Sequence, residues 1–134
     1  MKLLLDTNVL IAAFITKGVC SELLEHCLRH HKIVLSEFIL DELHENLVKK
    51  FKYSVEDSDS VIRLLRLRVS LFEPIPLPQP VCRDTDDDMV IATALAGEVV
   101  CIVTGDKDLL TLKNHQGVAI LKPADFPIFE AEHS

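Results

Sequence analysis

The sequence predicts an α/β domain built on a mainly parallel sheet with helices on both faces. Short apolar runs that suit buried strands alternate with longer segments whose apolar residues recur at helical spacing. The strand candidates show no regular alternation of apolar and polar residues, which is typical of strands buried on both faces. At 134 residues, 49% of them hydrophobic, the chain has the usual size and composition of one folded domain, so we treat residues 1–134 as a single unit.

The first half of the chain contains two strand candidates and four helix candidates. The apolar runs at 2–5 and 33–35 are the strands. Helices are expected at about 9–14, 19–30, 36–51 and 54–68. Ser36 and Ser54 stand where a side-chain oxygen caps the first turn of the third and fourth of these helices.

The second half continues the alternation after an extended connector. A short strand is expected at 71–75, and four prolines then alternate between 74 and 80. The acidic run 84–88 is expected to precede a helix that reaches about 96, and a β-branched strand follows at 99–104. A helical turn at 109–112, a last strand at 118–121 and a terminal helix or turn at 123–129 complete the pattern.

The charge balance argues against a general nucleic-acid-binding module. The formal net charge is −7, whereas such modules neutralise phosphates with Lys and Arg and tend to be basic. A nuclease site concentrates acids to hold cations, so an acidic total is compatible with a phosphate-bearing substrate when a metal supplies the positive charge.

The sequence indicates a cytoplasmic protein without a membrane segment. No apolar run reaches about 18 residues, and Asp6 interrupts the amino-terminal run before a signal peptide could form. The cysteines have apolar neighbours and no C-x-x-C spacing, so we interpret them as reduced and buried. Cys20, Cys27 and His31 share a helical face, but a structural zinc site needs four closely spaced ligands.

Two acids follow strand candidates, which points to an active site. Asp6 comes directly after the first strand and Asp106 directly after the strand at 99–104. Parallel strands end at the same edge of a sheet, where sites form in α/β folds. Asp88 precedes the helix before the second of these strands, and Glu42 lies on the helix after 33–35. Carboxylates gathered without cations repel one another, and an all-oxygen cluster favours Mg²⁺ or Mn²⁺.

Each acid also has an ordinary structural explanation when it is considered alone. Asp6 can end a strand, Asp106 can occupy a turn or cap a helix, and Glu42 can be one more exposed helical acid. The run Asp84, Asp86, Asp87 and Asp88 can be a solvated helix start. The functional interpretation depends on the placement of the whole set relative to the strands.

Three segments closely resemble the PIN-domain family: Leu5-Asp6-Thr7-Asn8-Val9-Leu10, the stretch 84–94 and the stretch 102–110 with Thr104-Gly105-Asp106 at its centre. The resemblance runs essentially end to end, and the first and last segments are specific in combination. It implies a three-layer α/β/α sandwich with a central parallel sheet. It also implies a ribonuclease whose acidic site holds Mg²⁺ or Mn²⁺, of the kind found as the toxin of bacterial toxin–antitoxin pairs.

The resemblance assigns the site residue by residue. Asp6, Asp88 and Asp106 correspond to metal-binding acids, and Glu42 corresponds to an acid that binds the metal or orients the attacking water. Candidate neighbours that tune these carboxylates are Asn8, Thr104 and Asp108. The acids beside Asp88 make its assignment less specific than that of Asp6. Thr85 stands where the toxin branch of the PIN family commonly has proline.

The implied partners are RNA, an antitoxin that inserts a basic side chain among the acids, and a second copy of the chain joined through the apolar helices of the first half. Candidate residues for steering RNA are basic residues on two helices: Lys49, Lys50, Lys52, Arg63, Arg66 and Arg68. The ordinary explanation of these six residues is that they lie on solvated helix faces. The alternatives are a PIN-like binding or regulatory domain without turnover, a metal-dependent nuclease or phosphatase acting on DNA, and a structural α/β domain with scattered acids.

Overall fold

A computed structural model describes residues 1–133, and its helices and strands follow the predicted order closely. The strands are β1 (Lys2–Leu5), β2 (Lys32–Leu35), β3 (Ser70–Leu71), β4 (Cys101–Val103), β5 (Asn114–His115) and β6 (Val118–Leu121). The helices are α1 (Thr7–Ile15), α2 (Val19–His30), α3 (Glu37–Lys49), α4 (Val55–Arg68), α5 (Thr85–Gly97), α6 (Lys107–Leu112) and α7 (Phe126–His133), with a 3₁₀ turn at Pro123–Asp125.

The predicted helix caps are present. The hydroxyl oxygens of Ser36 and Ser54 accept hydrogen bonds from the backbone N–H groups of Ile39 and Asp57. Each therefore satisfies one of the amide groups that the first turn of a helix leaves without an intrahelical partner.

The main departures from the predicted elements lie in the second half of the chain. The strand expected at 71–75 is limited to Ser70–Leu71, because the prolines that follow lack the N–H group that a strand ladder needs. Helix α5 begins at Thr85, so the acids expected before it occupy its first turn. The two-residue strand β5 was not predicted, and it pairs antiparallel with β6 at the edge of the sheet.

The sheet has the strand order β3-β2-β1-β4-β6-β5 and is parallel except for β5. From β1 the chain moves outward through β2 to β3, then returns to the other side of β1 at β4. Parallel crossovers are right-handed, so this reversal puts α5 on the face opposite α1–α4. The predicted arrangement of a mainly parallel sheet between helices is confirmed.

The core lies on both faces of β1, β2 and β4, whose central residues are fully buried. The central strands supply Leu3, Leu4, Leu5, Val34 and Ile102 to a hydrophobic cluster that both halves of the chain share. Within residues 1–133 no single helix is long and apolar enough to cross a membrane. Helices α1 and α2 reach the required length and apolar composition only when they are taken together, and a bend of 107° separates them.

Candidate active site

The carboxyl ends of β1 and β4 lie side by side at the point where the strand order reverses. Leu5 of β1 is in register with Val103 of β4, and the backbone N–H of Asp6 donates to the carbonyl of Val103 at 3.0 Å. The residues that follow the two strands therefore enter one crevice, as expected for a parallel sheet. Asp6 and Asp106 are brought together in this way.

Asp6 is held by three hydrogen bonds in a buried position. One carboxylate oxygen accepts from the backbone N–H of Thr7 at 2.7 Å, and the other accepts from the Thr104 hydroxyl at 2.7 Å and the Asn8 amide at 3.0 Å. Burial raises the pKa of Asp6, and the negative charge of Asp106 adds to this, while its hydrogen bonds act in the opposite direction. The carboxylate is thus fixed in orientation and left short of positive charge.

Thr104 connects the two strand-end acids. Its fully buried hydroxyl donates to Asp6 and accepts the backbone N–H of Asp106 at 3.0 Å. Asn8 braces the same loop, because its side-chain carbonyl accepts the N–H of Gly105 at 3.0 Å. Asp106 caps α6 by accepting the N–H of Leu109 with one oxygen. Both predicted polar neighbours therefore contact the strand-end acids.

Glu42 reaches the crevice from the second turn of α3. The Thr7 hydroxyl donates to Glu42 at 2.8 Å while the Thr7 amide binds Asp6, so one residue ties these two acids together. Burial raises the pKa of Glu42, and the charges of Asp86 and Asp6 contribute further. Thr7 was not predicted as a site residue, although its position directly after Asp6 was visible in the sequence.

Asp87, and not Asp88, lies beside Asp106. Asp87, Asp106 and Asp108 each offer an oxygen within 4.8 Å of the other two. The Asp87 side chain is buried, with 8% of its surface exposed. Burial, followed by the charges of Asp106 and Asp6, raises its pKa to about 7. The structure thus adds to the predicted set an acid that the sequence assigned to the solvated start of a helix.

Asp88 has a different position from the one predicted. Its carboxylate accepts the backbone N–H groups of Val81 and Cys82, the latter at 2.8 Å, and so anchors the end of the proline connector. Consecutive helical residues point about 100° apart, and α5 starts at Thr85. At that phase Asp87 faces the crevice and Asp88 faces the connector.

The acids line a cavity of about 290 Å³ at the sheet edge. Its walls include Asp6, Glu42, Asp87 and Asp106, as well as Thr7, Asn8, Asn46, Lys50, Asp84 and Asp86. A second cavity of about 440 Å³ shares Glu42, Asn46, Lys50 and Asp86 with it and continues along α3 past Lys49. Together they form a groove that leads along α3 to the acids.

Positive charge near these acids is sparse in the part of the chain that the structure describes. Arg83 pairs with Asp108 at 2.8 Å, but among residues 1–133 no salt bridge reaches Asp6, Asp87 or Asp106. Oxygen-only donors with uncompensated charge are the set that Mg²⁺ and Mn²⁺ prefer. The residues present therefore fit a divalent cation.

The predicted basic residues are not gathered at the site. Lys50 lines the acidic cavity, and Lys49 lies next to it but pairs with Glu45 on its own helix at 3.0 Å. On α4, Arg66 pairs with Glu37 through two hydrogen bonds, and Arg63 binds Ser60. Lys50 is the predicted cation that the fold brings to the acids.

The comparison with protein families gives a direct assignment. A sequence model described as the PIN domain matches residues 2–108, which include every acid of the cavity. The chain belongs to the PIN-domain family. PIN domains are generally nucleases, so the family points to a hydrolase acting on phosphodiester bonds.

This PIN domain is also similar to a protein from another organism and to several solved structures. A protein named as uncharacterized protein MJ1680, from Methanocaldococcus jannaschii, is 32% identical over 120 residues, which are 85% of this chain and 76% of the relative. Among solved structures, one is VapBC2 from Rickettsia felis bound to a DNA fragment from its promoter. It has a TM-score of 0.61 at 18% identity, and the match covers 90% of this chain and 97% of the VapBC2 chain. VapBC-1 from nontypeable Haemophilus influenzae has a TM-score of 0.64 at 19% identity, covering 92% and 99%. At these identities the solved structures establish the fold.

Proposed function

We propose that this PIN domain is a divalent-metal-dependent endoribonuclease that hydrolyses RNA phosphodiester bonds and acts as the toxin of a toxin–antitoxin pair. The observation that carries the proposal is the group of acids at the β1–β4 edge. Burial and mutual repulsion raise the pKa of Asp6, Glu42 and Asp87 there. Carboxylates in this state gain most from a bound cation, because it removes the cost of their charge.

Asp6, Asp87 and Asp106 are the residues we assign to holding Mg²⁺ or Mn²⁺, with Asp108 at the margin. We assign this role to Asp87 in place of Asp88, because Asp87 lies beside Asp106 whereas Asp88 binds the proline connector. A bound divalent ion supplies an activated water and stabilises charge on the leaving oxygen. Thr104 and Asn8 donate hydrogen bonds to one oxygen of Asp6. Hydrogen bonds of this kind keep a metal-binding carboxylate in a fixed orientation.

Glu42 is assigned to the attacking water. Its carboxylate is half-buried at the wall of the cavity, is held by Thr7 and has a raised pKa, which suits a group that takes up a proton during hydrolysis. In the reaction, the oxygen of water bonds to phosphorus, the bond from phosphorus to the leaving ribose oxygen breaks, and that oxygen receives a proton. Glu42 would accept the proton that water loses.

The groove along α3 is the assigned path of the RNA strand. Lys50 and Asn46 line both of its cavities, and a cation beside a carboxylate site helps hold a phosphate that the acids alone would repel.

The four cysteines are free thiols, which suits the reducing cytoplasm where we place this activity.

The proposed partners follow from the same charge pattern. An antitoxin that offers an Arg to the acidic cavity would form charge-assisted hydrogen bonds there, and the solved VapBC structures are named as complexes. A homodimer would use α1 and α2, where Ile15 and Val19 expose 41% and 58% of their surface.

Digestion of matched RNA and DNA oligonucleotides tests the activity. The wild-type protein with Mg²⁺ or Mn²⁺ should cut RNA internally, and chelation by EDTA or Asp6→Asn should abolish cleavage. Preferential cleavage of DNA would reassign the substrate. Absence of cleavage of varied RNAs together with absence of Mn²⁺ binding in calorimetry would favour a regulatory domain. Growth arrest on expression of the wild-type protein, relieved by a small protein encoded beside it, tests the toxin role.

A further inference from the structure

A second group of metal-ligating side chains lies away from the acidic crevice. His26, His31 and Glu130 each place a donor atom within 4.8 Å of the other two. His26 is on α2, His31 directly precedes β2, and Glu130 is on α7. Asp6 and Asp106 follow the carboxyl ends of strands, whereas His31 stands at an amino end. The two groups therefore lie at opposite edges of the sheet, separated by strands about 13 Å long at four residues each.

The three donors converge on one point. The Nε2 atoms of His26 and His31 lie 2.6 Å and 2.5 Å from the same oxygen of Glu130. Two imidazole nitrogens and one carboxylate oxygen thus meet at one place, where a divalent ion would take all three as ligands.

The surroundings fix this arrangement. Only 11% of the His31 side chain is exposed. Its Nδ1 lies 3.2 Å from the amino nitrogen of Met1, and its ring packs edge-on against Phe126 at 5.9 Å. These contacts hold the ring with its Nε2 toward Glu130.

One side of the group is open to a cavity of about 300 Å³, lined by His26 and Glu130 together with Glu22 and Pro123. Cys27, the residue after His26, is fully buried in the core and is not part of the donor group. The sequence analysis argued against a zinc site of His31 with Cys20 and Cys27, and the fold gives His31 different partners. Three protein donors with an open fourth position are the arrangement of an accessible zinc site.

We propose that His26, His31 and Glu130 form a second metal site, selective for Zn²⁺ or a similar transition-metal ion, that ties α7 to α2 and to the amino-terminal edge of the sheet. Imidazole suits Zn²⁺, Co²⁺ and Ni²⁺, whereas Mg²⁺ prefers oxygen ligands. The two sites of the molecule thus differ in the ions that they accept. This inference is independent of the proposed nuclease function.

Calorimetry of the full chain with ZnCl₂ tests the site when it is carried out in the Asp6→Asn background, which weakens binding at the acids. We expect one Zn²⁺ site that MgCl₂ does not fill. His26→Gln or Glu130→Gln should weaken Zn²⁺ binding at least about tenfold, because even residues that only support a ligand contribute that much. His30→Gln is the matched control, since its ring lies 4.8 Å from that of His26 but outside the donor group.

Two further measurements separate the metal site from a merely structural role. Co²⁺ should give visible absorption bands of a tetrahedral site that His26→Gln removes, and Zn²⁺ should slow amide hydrogen exchange in 126–133. His26 is 43% exposed, so its variant should keep its circular dichroism spectrum and, in the Asp6-containing chain, its RNA cleavage with Mg²⁺. Zn²⁺ binding that is unchanged by His26→Gln and Glu130→Gln, or equally weakened by His30→Gln, would overturn the proposal.

Discussion

Replacing Asp87 by Asn tests whether this residue is a member of the acidic site. The substitution keeps the shape of the side chain and removes its negative charge. Asp87 is almost fully buried, and its pKa is raised to about 7 by burial and by the charges of Asp106 and Asp6. We therefore expect Asp87→Asn to stabilise the metal-free protein while abolishing its stabilisation by Mg²⁺ or Mn²⁺.

The size of the effect follows from proton linkage. In the unfolded chain the pKa of Asp87 returns to its ordinary value of 3.8. Between that value and about 7 the folded protein retains a proton that the unfolded chain has lost, so its stability falls as pH rises. At about 1.4 kcal/mol for each pH unit, the loss reaches at most about 4 kcal/mol above the folded pKa. Below about pH 4 both states are protonated, and this contribution vanishes.

Urea denaturation at a series of pH values in EDTA measures this difference. The free energy of unfolding of Asp87→Asn should exceed that of the wild type by an amount that grows from near zero at about pH 4 to its full value at about pH 8. Added Mn²⁺ should stabilise the wild type and leave the variant unchanged, because only the folded wild type binds the ion.

Asp88→Asn is the matched control, one residue along the same helix. Its carboxylate accepts two backbone N–H groups of the proline connector, so its loss should destabilise the protein by about 1–3 kcal/mol and should leave the response to Mn²⁺ intact. If Asp87→Asn were no more stable than the wild type at about pH 8 in EDTA, or if Asp88→Asn abolished the Mn²⁺ response, the assignment of Asp87 to the site would be refuted.

Three further substitutions test the RNA groove, the hydrogen bonding of Asp6 and the packing of α5 on β2. Lys50→Ala should raise the KM for RNA several-fold at low salt with little change in kcat, whereas Arg29→Ala, which removes an ion pair within α2 outside the groove, should change neither; equal effects in steady-state assays would contradict the groove. Thr104→Val should weaken Mn²⁺ binding about 10–100-fold in calorimetry, because Asp6 loses a 2.7 Å hydrogen bond. Gly97→Ala should cost about 1–3 kcal/mol in urea denaturation, since a Cβ there would collide with the Val34 side chain; an unchanged midpoint would show that the α5–β2 contact yields.

The strand-end acids were predictable because two simple rules converge on them. Apolar runs identify β1 and β4, and parallel strands deliver the residues that follow them to one edge. The observed register of Leu5 with Val103 puts Asp6 and Asp106 there. Each acid also caps the helix that follows it, so the structural explanation of these residues holds alongside the functional role proposed for them.

The choice between Asp87 and Asp88 could not be made from the sequence. Four acids between 84 and 88 precede an apolar helix, and each carries the same charge and much the same helix-start preference. Which one faces the crevice depends on the phase of α5, and an error of one residue in its start rotates every side chain by about 100°. The first residue of the helix was placed after the acidic run, whereas Asp84 caps a helix that begins at Thr85.

The histidine group shows a different limit of sequence reasoning. Glu130 lies 99 residues from His31, and no spacing rule links a carboxylate on the last helix to the start of β2. The contact exists because Phe126 of α7 is buried beside His31, which brings the next turn of that helix over α2. The same parallel sheet thus gathers oxygen ligands at its carboxyl edge, where loops follow strands, and imidazole ligands at its amino edge, where α2 and α7 meet. Since ligands of different chemical type select different ions, excess Mg²⁺ should leave Zn²⁺ bound at the histidine group, whereas a single shared site would lose its Zn²⁺ as Mg²⁺ is added.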